Sequence, residues 1–308
     1  EENLDIRVSI VPIVEGEKAV LRLLSSRSRQ FSLQDLGMSD KDLAKVRKGF
    51  SKPYGMLLST GPTGSGKTTT IYAVLKIINT REKNIATIED PVEYDIEGIN
   101  QIQVNPKTNL TFANGLRSIL RQDPDIIFVG EIRDEETASI AINSAMTGHL
   151  VLSTAHTNDA ATALPRLIDM NIEPFLIAST VNTIIGQRLV RKVCDKCKIS
   201  QTTTSEELAK HVPEEIVTKY FGKKKEVRVY RGKGCPICHS TGYIGRIGVF
   251  EVLEVSEAIR HLITERANAD VIRQKAQEEG MTTMIDDGFD KVEGGITTVE
   301  EVLRATTE

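Results

Sequence analysis

Gly61-Pro62-Thr63-Gly64-Ser65-Gly66-Lys67-Thr68 lies between the apolar run Gly55-Met-Leu-Leu-Ser-Thr60 and the segment Thr69-Thr-Ile-Tyr-Ala-Val-Leu-Lys-Ile-Ile78. The pattern G-x-x-x-x-G-K-[ST] takes its meaning from that setting, a strand before it and a helix after it. The glycines permit a bend that other residues resist, so successive backbone N–H groups can turn inward around a chain of phosphates. Unpaired N–H groups and the positive dipole end at the start of the helix, where Thr69 lies, add to the attraction for an anion. Lys67 is expected to reach the β- and γ-phosphates, and Thr68 to offer its hydroxyl to Mg²⁺.

Downstream, short buried strands alternate with helices, which predicts an α/β fold with a mostly parallel sheet. Asn84-Ile-Ala-Thr-Ile88 reads as a strand running into Glu89-Asp90-Pro91-Val92-Glu93, where three carboxylates are expected to be exposed. Asp125-Ile-Ile-Phe-Val129 is a continuous apolar run, as a central strand requires, and it ends in Gly130-Glu131-Ile132-Arg133-Asp134. An acid directly after such a strand, in a chain with a phosphate loop, suits a Mg²⁺ site. Gly148-His149-Leu-Val-Leu-Ser-Thr154 is a further buried strand, leading into Ala155-His156-Thr157. His156 can sense a γ-phosphate or orient water, and His149 is assigned a structural role. Helices are expected at 111–122, with Arg117 and Arg121 on one face, at 160–170, and across 174–189. The paired arginines suit either a solvated face or a clamp on a triphosphate.

Upstream, 6–14 and 18–24 read as two strands joined at Glu15-Gly16-Glu17, a hairpin that needs partners from elsewhere. This predicts that the chain starts partway through an N-terminal domain. Arg7 and Arg22 lie on these strands, where an arginine is as readily solvated as functional. A serine-rich linker follows, and Ser39 or Asp40 can cap a helix that Gly49 can end.

The chain has 308 residues, 40% hydrophobic and 27% charged, with a net charge of −4. That composition argues against disorder and against nonspecific coating of nucleic acid. No run approaches the ~18 apolar residues that span a bilayer, so a cytoplasmic location is expected. All four cysteines fall in Cys194-Asp-Lys-Cys197 and Cys235-Pro-Ile-Cys238, two knuckles able to present four thiolates to one Zn²⁺. The adjacent His239 is an alternative ligand. The long interval predicts an insertion of helix and strand between the pairs, and its densest basic point is Lys223-Lys224-Lys225. Few aromatics interleave these charges, which suits a solvated loop or a partner-binding face better than a nucleic-acid platform. The segment from Tyr243 reads as a strand followed by helices, with Met281, Met284, Ile285 and Phe289 as core.

Four stretches together resemble the Walker A, Asp box, Walker B and His box of the secretion ATPase superfamily: Gly61 to Thr68, Thr87 to Glu93, Gly130 to Asp134, and Gly148 to Thr157. The cysteine pairs extend the similarity, which is greatest to the branch serving type II secretion and type IV pilus extension; retraction-type relatives generally lack them. The resemblance implies a RecA-like P-loop NTPase core, with a tetracysteine zinc-binding insertion and a small helical C-terminal region. Its implied units are 1–24 (end of an N-terminal domain), 25–48 (connector), 49–190 (ATPase core), 191–250 (zinc subdomain) and 251–308 (helical subdomain). It further implies that Glu93 polarises the attacking water, Glu131 serves Mg²⁺ and His156 reports on the γ-phosphate. Arg7 and Arg22 are implied to approach phosphates on domain closure, Arg117, Arg121 and Arg133 to belong to the site and the interface around it, and Leu36-Gly37 to lie near the adenine. The implied partners are five further copies in a homohexamer, an inner-membrane platform protein, and a cytoplasmic adaptor docking the preceding N-terminal region. A nucleic-acid translocase and a slow nucleotide-gated switch are the competing readings of the same core.

Overall fold

The computed structural model describes residues 4–25, 31–208, 214–222 and 226–306. Lys223, Lys224 and Lys225 lie outside the described residues, as does the Arg22 side chain. Two strands, β1 (Leu4–Ile13) and β2 (Gly16–Ser25), pair antiparallel as a hairpin whose turn is Val14-Glu15, one residue earlier than expected, with Gly16 and Glu17 already in β2. Helix α1 (Asp40–Phe50) follows, capped by the Ser39 side chain, which accepts from the Asp42 N–H. Gly49 does not end this helix. It lies inside it, where a Cβ would come within 2.4 Å of Thr183 Oγ1, so its smallness serves close packing on the sheet.

The central sheet has seven strands in the order β11-β8-β3-β7-β6-β4-β5. They are β3 (Gly55–Thr60), β4 (Ile85–Glu89), β5 (Asn100–Gln103), β6 (Ile126–Val129), β7 (Leu150–Ala155), β8 (Val181–Val193) and β11 (Tyr243–Glu254). All neighbouring pairs run parallel except β11 against β8. Crossovers are made by α2 (Lys67–Ile78), α3 (Phe112–Ile119), α4 (Glu135–Met146), and α5 (Ala163–Asp169) with α6 (Pro174–Thr180). Side chains alternate across the sheet as the two-residue strand period requires. Met56, Leu58, Ile127 and Val129 join one buried cluster with α3 to α6. Leu57, Ile126 and Phe128 join the other, with α1 and α2. Covering both faces explains why these strands read as unbroken apolar runs.

The helix expected over 174–189 stops at Thr180, and Val181 begins a thirteen-residue strand. Val181, Thr183, Ile184 and Ile185 are β-branched, and the strand is paired on both sides, by β3 and β11. Sheet pairing therefore overrides the apparent helical spacing. The helix expected from 160 starts at Ala163, because residues 160–162 form a turn.

Between the cysteine pairs, β9 (Lys198–Thr204) pairs antiparallel with β10 (Glu226–Gly232), with α7 (Ser205–Leu208) and α8 (Glu214–Phe221) between them. Val217, Phe221 and Val227 of this insertion pack against Phe289, Val292, Val299 and Val302. These belong to α11 (Met284–Glu293) and α12 (Val299–Thr306), which follow α9 (Glu257–Thr264) and α10 (Ala269–Glu278). The insertion and the C-terminal helices thus share a core, and β11 returns the chain to the main sheet between them. Among the described residues no helix is long and apolar enough to cross a membrane.

Candidate active site

Because β3, β4, β6 and β7 are parallel, their C-terminal ends fall on one edge of the sheet, the edge where ligands sit in open α/β folds. The phosphate loop leaves β3 there. Gly61, Gly64 and Gly66 adopt φ of +148°, +82° and +90°. At Gly61 a Cβ would lie 2.5 Å from both Gln187 O and Ser65 Oγ. The loop is braced from β8, where Gln187 Nε2 donates to Ser65 O at 2.7 Å and Gln187 Oε1 accepts from Ser59 Oγ at 3.0 Å.

A cleft of about 620 Å³ opens over this loop. Thr63, Gly64, Gly66, Lys67, Thr68 and Thr69 form one side. Glu93, Glu131, Arg133 and His156 arrive from the ends of β4, β6 and β7. Lys67 is 8% exposed, and its ammonium donates to Gly61 O at 2.8 Å and Pro62 O at 3.0 Å. Burial pulls it down to about 8, against the opposing pull of Glu131. A phosphate beside it would favour the charged form.

Glu131 accepts from Arg133 Nε at 2.8 Å and meets His156 Nε2 at 3.2 Å, so the acid after β6 and the histidine after β7 are in direct contact. The next helix is fixed by Asp134, whose carboxylate accepts from the Thr137 N–H at 2.8 Å. Thr154 ties β7 to the same place through its hydroxyl, which donates to Gly130 O at 2.7 Å. Glu93 lies at the rim and pairs with Arg7 Nη2 at 3.1 Å, while the same nitrogen donates to Val92 O at 2.8 Å. The hairpin therefore reaches the cleft through Arg7. Arg22 stands opposite Arg7 in the hairpin register.

The other sequence candidates lie elsewhere. Arg117 pairs with Glu136 at 2.7 Å, and Arg121 donates to Arg117 O and Ser118 Oγ; neither lines the cleft. Leu36 and Gly37 pack on β11, with Leu36 O accepting from the Gly248 N–H at 2.8 Å. His149 contacts Ser144 O through Nδ1 at 3.0 Å, the structural role expected of it.

Glu89 corrects the expectation of three exposed carboxylates. It is 2% exposed and accepts from Tyr72 OH at 2.5 Å, Thr87 Oγ1 at 2.7 Å and Gln101 Nε2 at 3.2 Å. Burial pushes its carboxyl up, and these donors resist the shift. Tyr72 OH also accepts from the Glu93 N–H at 3.2 Å, so the buried network sets where the Glu93 backbone runs. Tyr72, Phe112, Leu189 and Arg246 also line the cleft and were not expected. A signal existed for Tyr72 alone, one helical turn beyond Thr68 on the same face.

The four cysteine sulfurs converge within 4.8 Å of one another. Cys194 and Cys235 sulfurs are 3.9 Å apart, Cys197 and Cys238 3.8 Å, and Cys235 and Cys238 3.6 Å. A tetrahedral ion with metal–sulfur bonds near 2.3 Å would hold its sulfurs ~3.8 Å apart, so the spacing fits. The Cys235 N–H points at Cys238 Sγ at 3.2 Å, a contact that favours thiolate. His239 is not part of this group.

Residues 1–304 match the family described as Type II/IV secretion system protein. The chain is 49% identical over 306 residues to the Type IV pilus assembly ATPase PilB of Thermus thermophilus, covering 99% of this chain and 34% of that protein. It is 48% identical over 308 residues to Type II secretion system protein E of Pseudomonas aeruginosa, covering 99% of this chain and 59% of that one. It therefore spans about a third to three fifths of the curated relatives it matches. Among solved structures, the pilus retraction motor PilT with bound ADP aligns with a TM-score of 0.69 at 28% identity, covering 99% of this chain and 76% of that one.

Proposed function

This chain belongs to the Type II/IV secretion system protein family, and from that premise we propose that it is the hydrolytic part of an ATP-driven motor for assembling a type IV pilus or a type II secretion pseudopilus. The observation that carries the reading is the meeting of the phosphate loop with Glu93, Glu131 and His156 around one cleft. Phosphoryl transfer asks a protein chiefly for positioning and charge neutralisation. Lys67 and the inward N–H groups of the loop hold the phosphates. Thr68 and Glu131 would hold Mg²⁺, which when bound would supply positive charge against the phosphates. Glu93 orients the attacking water. His156, against Glu131, reports whether the terminal phosphate is present. Arg133, and Arg7 from the hairpin, supply positive charge at the rim.

The names of the relatives, an assembly ATPase and a secretion protein, support assembly as the work performed. A homohexamer, an inner-membrane platform protein as the driven partner, an adaptor and a cytoplasmic, membrane-peripheral location complete the proposal. Structural Zn²⁺ at Cys194, Cys197, Cys235 and Cys238 belongs to it too. When bound it supplies a cross-link between the two ends of the β9–β10 insertion.

Multiple-turnover ATP hydrolysis, compared between the parent chain and Lys67→Ala, tests the reading. Loss of one preorganised charge donor is expected to cost about 10²–10³ in rate. A variant as active as its parent would defeat the assignment of the loop.

A further inference from the structure

His156 sits at the start of the β7–α5 loop, and the residues that follow it are fastened to parts of the chain beyond Phe250. Asp159 Oδ1 accepts from the Thr162 N–H and hydroxyl, both at 2.7 Å, which closes the loop on itself. Thr157 Oγ1 donates to Asp159 O at 3.0 Å. Asp159 Oδ2 accepts from Arg273 Nη2 of α10 at 2.7 Å, and Arg273 also holds Asp270 at 2.5 Å. One residue on, the Ala160 N–H donates to Glu251 Oε1 of β11 at 2.7 Å.

Glu251 is 4% exposed. Gly186 of β8 makes room for it, since a Cβ there would lie 2.8 Å from Glu251 Cγ and 3.0 Å from the Ala160 nitrogen. Arg188, two residues further along β8, is 8% exposed and feels the charges of both Glu251 and Asp159. Burying the Glu251 carboxylate near the Arg188 guanidinium, with the partly exposed Asp159–Arg273 pair beside them, is costly, and an apolar cluster of similar volume would pack at least as well. The groups instead impose one position on the loop backbone, four residues from the ring that touches Glu131.

We propose that Asp159, Glu251 and Arg273 are positioning residues that hold His156 against Glu131, so that α10 and β11 control the geometry of the nucleotide cleft. The inference rests on the ATPase reading for its kinetic consequence but not for its structural one. Displacing a positioned group by about 1 Å can cost up to ~10² in rate, and a loop released at one of its fastenings moves by less than a free one. A loss of about tenfold in kcat with KM changed less than threefold is therefore expected for Arg273→Ala.

The test combines two readouts on the same chain. Ring signals of His156 are followed by NMR in Arg273→Ala, Glu251→Ala and Arg273→Lys, with His239 as the internal control; ATP turnover is measured for Arg273→Ala with and without His156→Ala. The proposal expects the His156 signals to shift in Arg273→Ala and to return toward the parent in Arg273→Lys, with His239 unmoved. It also expects the tenfold loss to vanish when His156 is already alanine, because the clamp acts through that ring. Unmoved His156 signals, or equal losses in both backgrounds, would overturn it. A parent chain without turnover would count against the ATPase reading, and the ring signals would still decide the clamp. If Arg273→Ala does not fold, Glu251→Ala, which removes the acceptor for the Ala160 N–H, carries the same comparison.

Discussion

In the cleft, Lys67 comes from the start of α2 and Glu93, Glu131 and His156 from the segments after three strands, and each is held by a different protein partner: loop carbonyls, Arg7, Arg133, and Glu131 itself. In the cysteine cluster, two knuckles present four sulfurs within 4.8 Å of one another. The sheet would hold the cleft in shape whichever of those side chains were removed. The cluster lies outside the main sheet, at the two ends of the β9–β10 ladder, and that insertion is buried against α11 and α12. Losses at the cleft should thus appear in turnover, and losses at the cluster in local stability.

The largest effect expected from this contrast is at the cluster. Cys194→Ser, or chelation of the parent, should remove about one zinc per chain and open residues 198–232 to proteolysis, since structural zinc sites contribute folding free energy outright. Nucleotide affinity should change little. Zinc analysis with limited proteolysis checks this, and a parent holding well under one zinc, unaffected by chelator, would remove the metal from the account.

An intermediate effect is expected at Glu251. Burial pushes its carboxyl up to about 7, only partly offset by the Ala160 N–H, with the neighbouring Asp159 pushing the same way and Arg273 against it. Between its ordinary value and about 7 the folded chain binds the proton more tightly than the unfolded one. The contribution of this group to stability therefore falls as pH rises through that window and is flat above it, by roughly 3 kcal/mol in total. Glu251→Gln should gain on the parent between pH 5 and pH 8 in denaturant titrations. Parallel pH profiles for the two would show that Glu251 ionises as freely as an exposed acid.

The smallest effect is expected at Arg7. Its pair with Glu93 is about one third exposed on each side, so Arg7→Ala should alter stability by no more than ~1 kcal/mol. Thermal unfolding checks it, and a larger loss would mean that the hairpin is bound to the core more firmly than this contact implies.

Much of the fold and part of the site can be read from local sequence. The phosphate loop, the acid two residues after Val129 and the knuckles are patterns of residues close together in the chain, so they are legible without coordinates. The strand from Val181 reads as helix in the sequence, because its apolar residues fit helical spacing until pairing with β3 and β11 is known. Local sequence places Glu89 at an exposed strand end, because nothing in it shows that Tyr72, seventeen residues earlier, folds over the carboxylate. Leu189 and Arg246 reach the cleft only through the β8–β11 register, and the tie from Asp159 to Arg273 spans 114 residues. Such contacts follow from sheet order, which periodicity does not specify.

The most direct test of the central claim separates holding a nucleotide from cleaving it. For Glu93→Ala, equilibrium binding of MgATP and steady-state turnover should part company. Affinity is expected to stay within a few-fold of the parent, while kcat falls by about 10²–10⁴, the usual contribution of a group that handles the proton of the attacking water. Turnover equal to the parent, or a loss of binding that accounts for the whole loss of rate, would contradict the account.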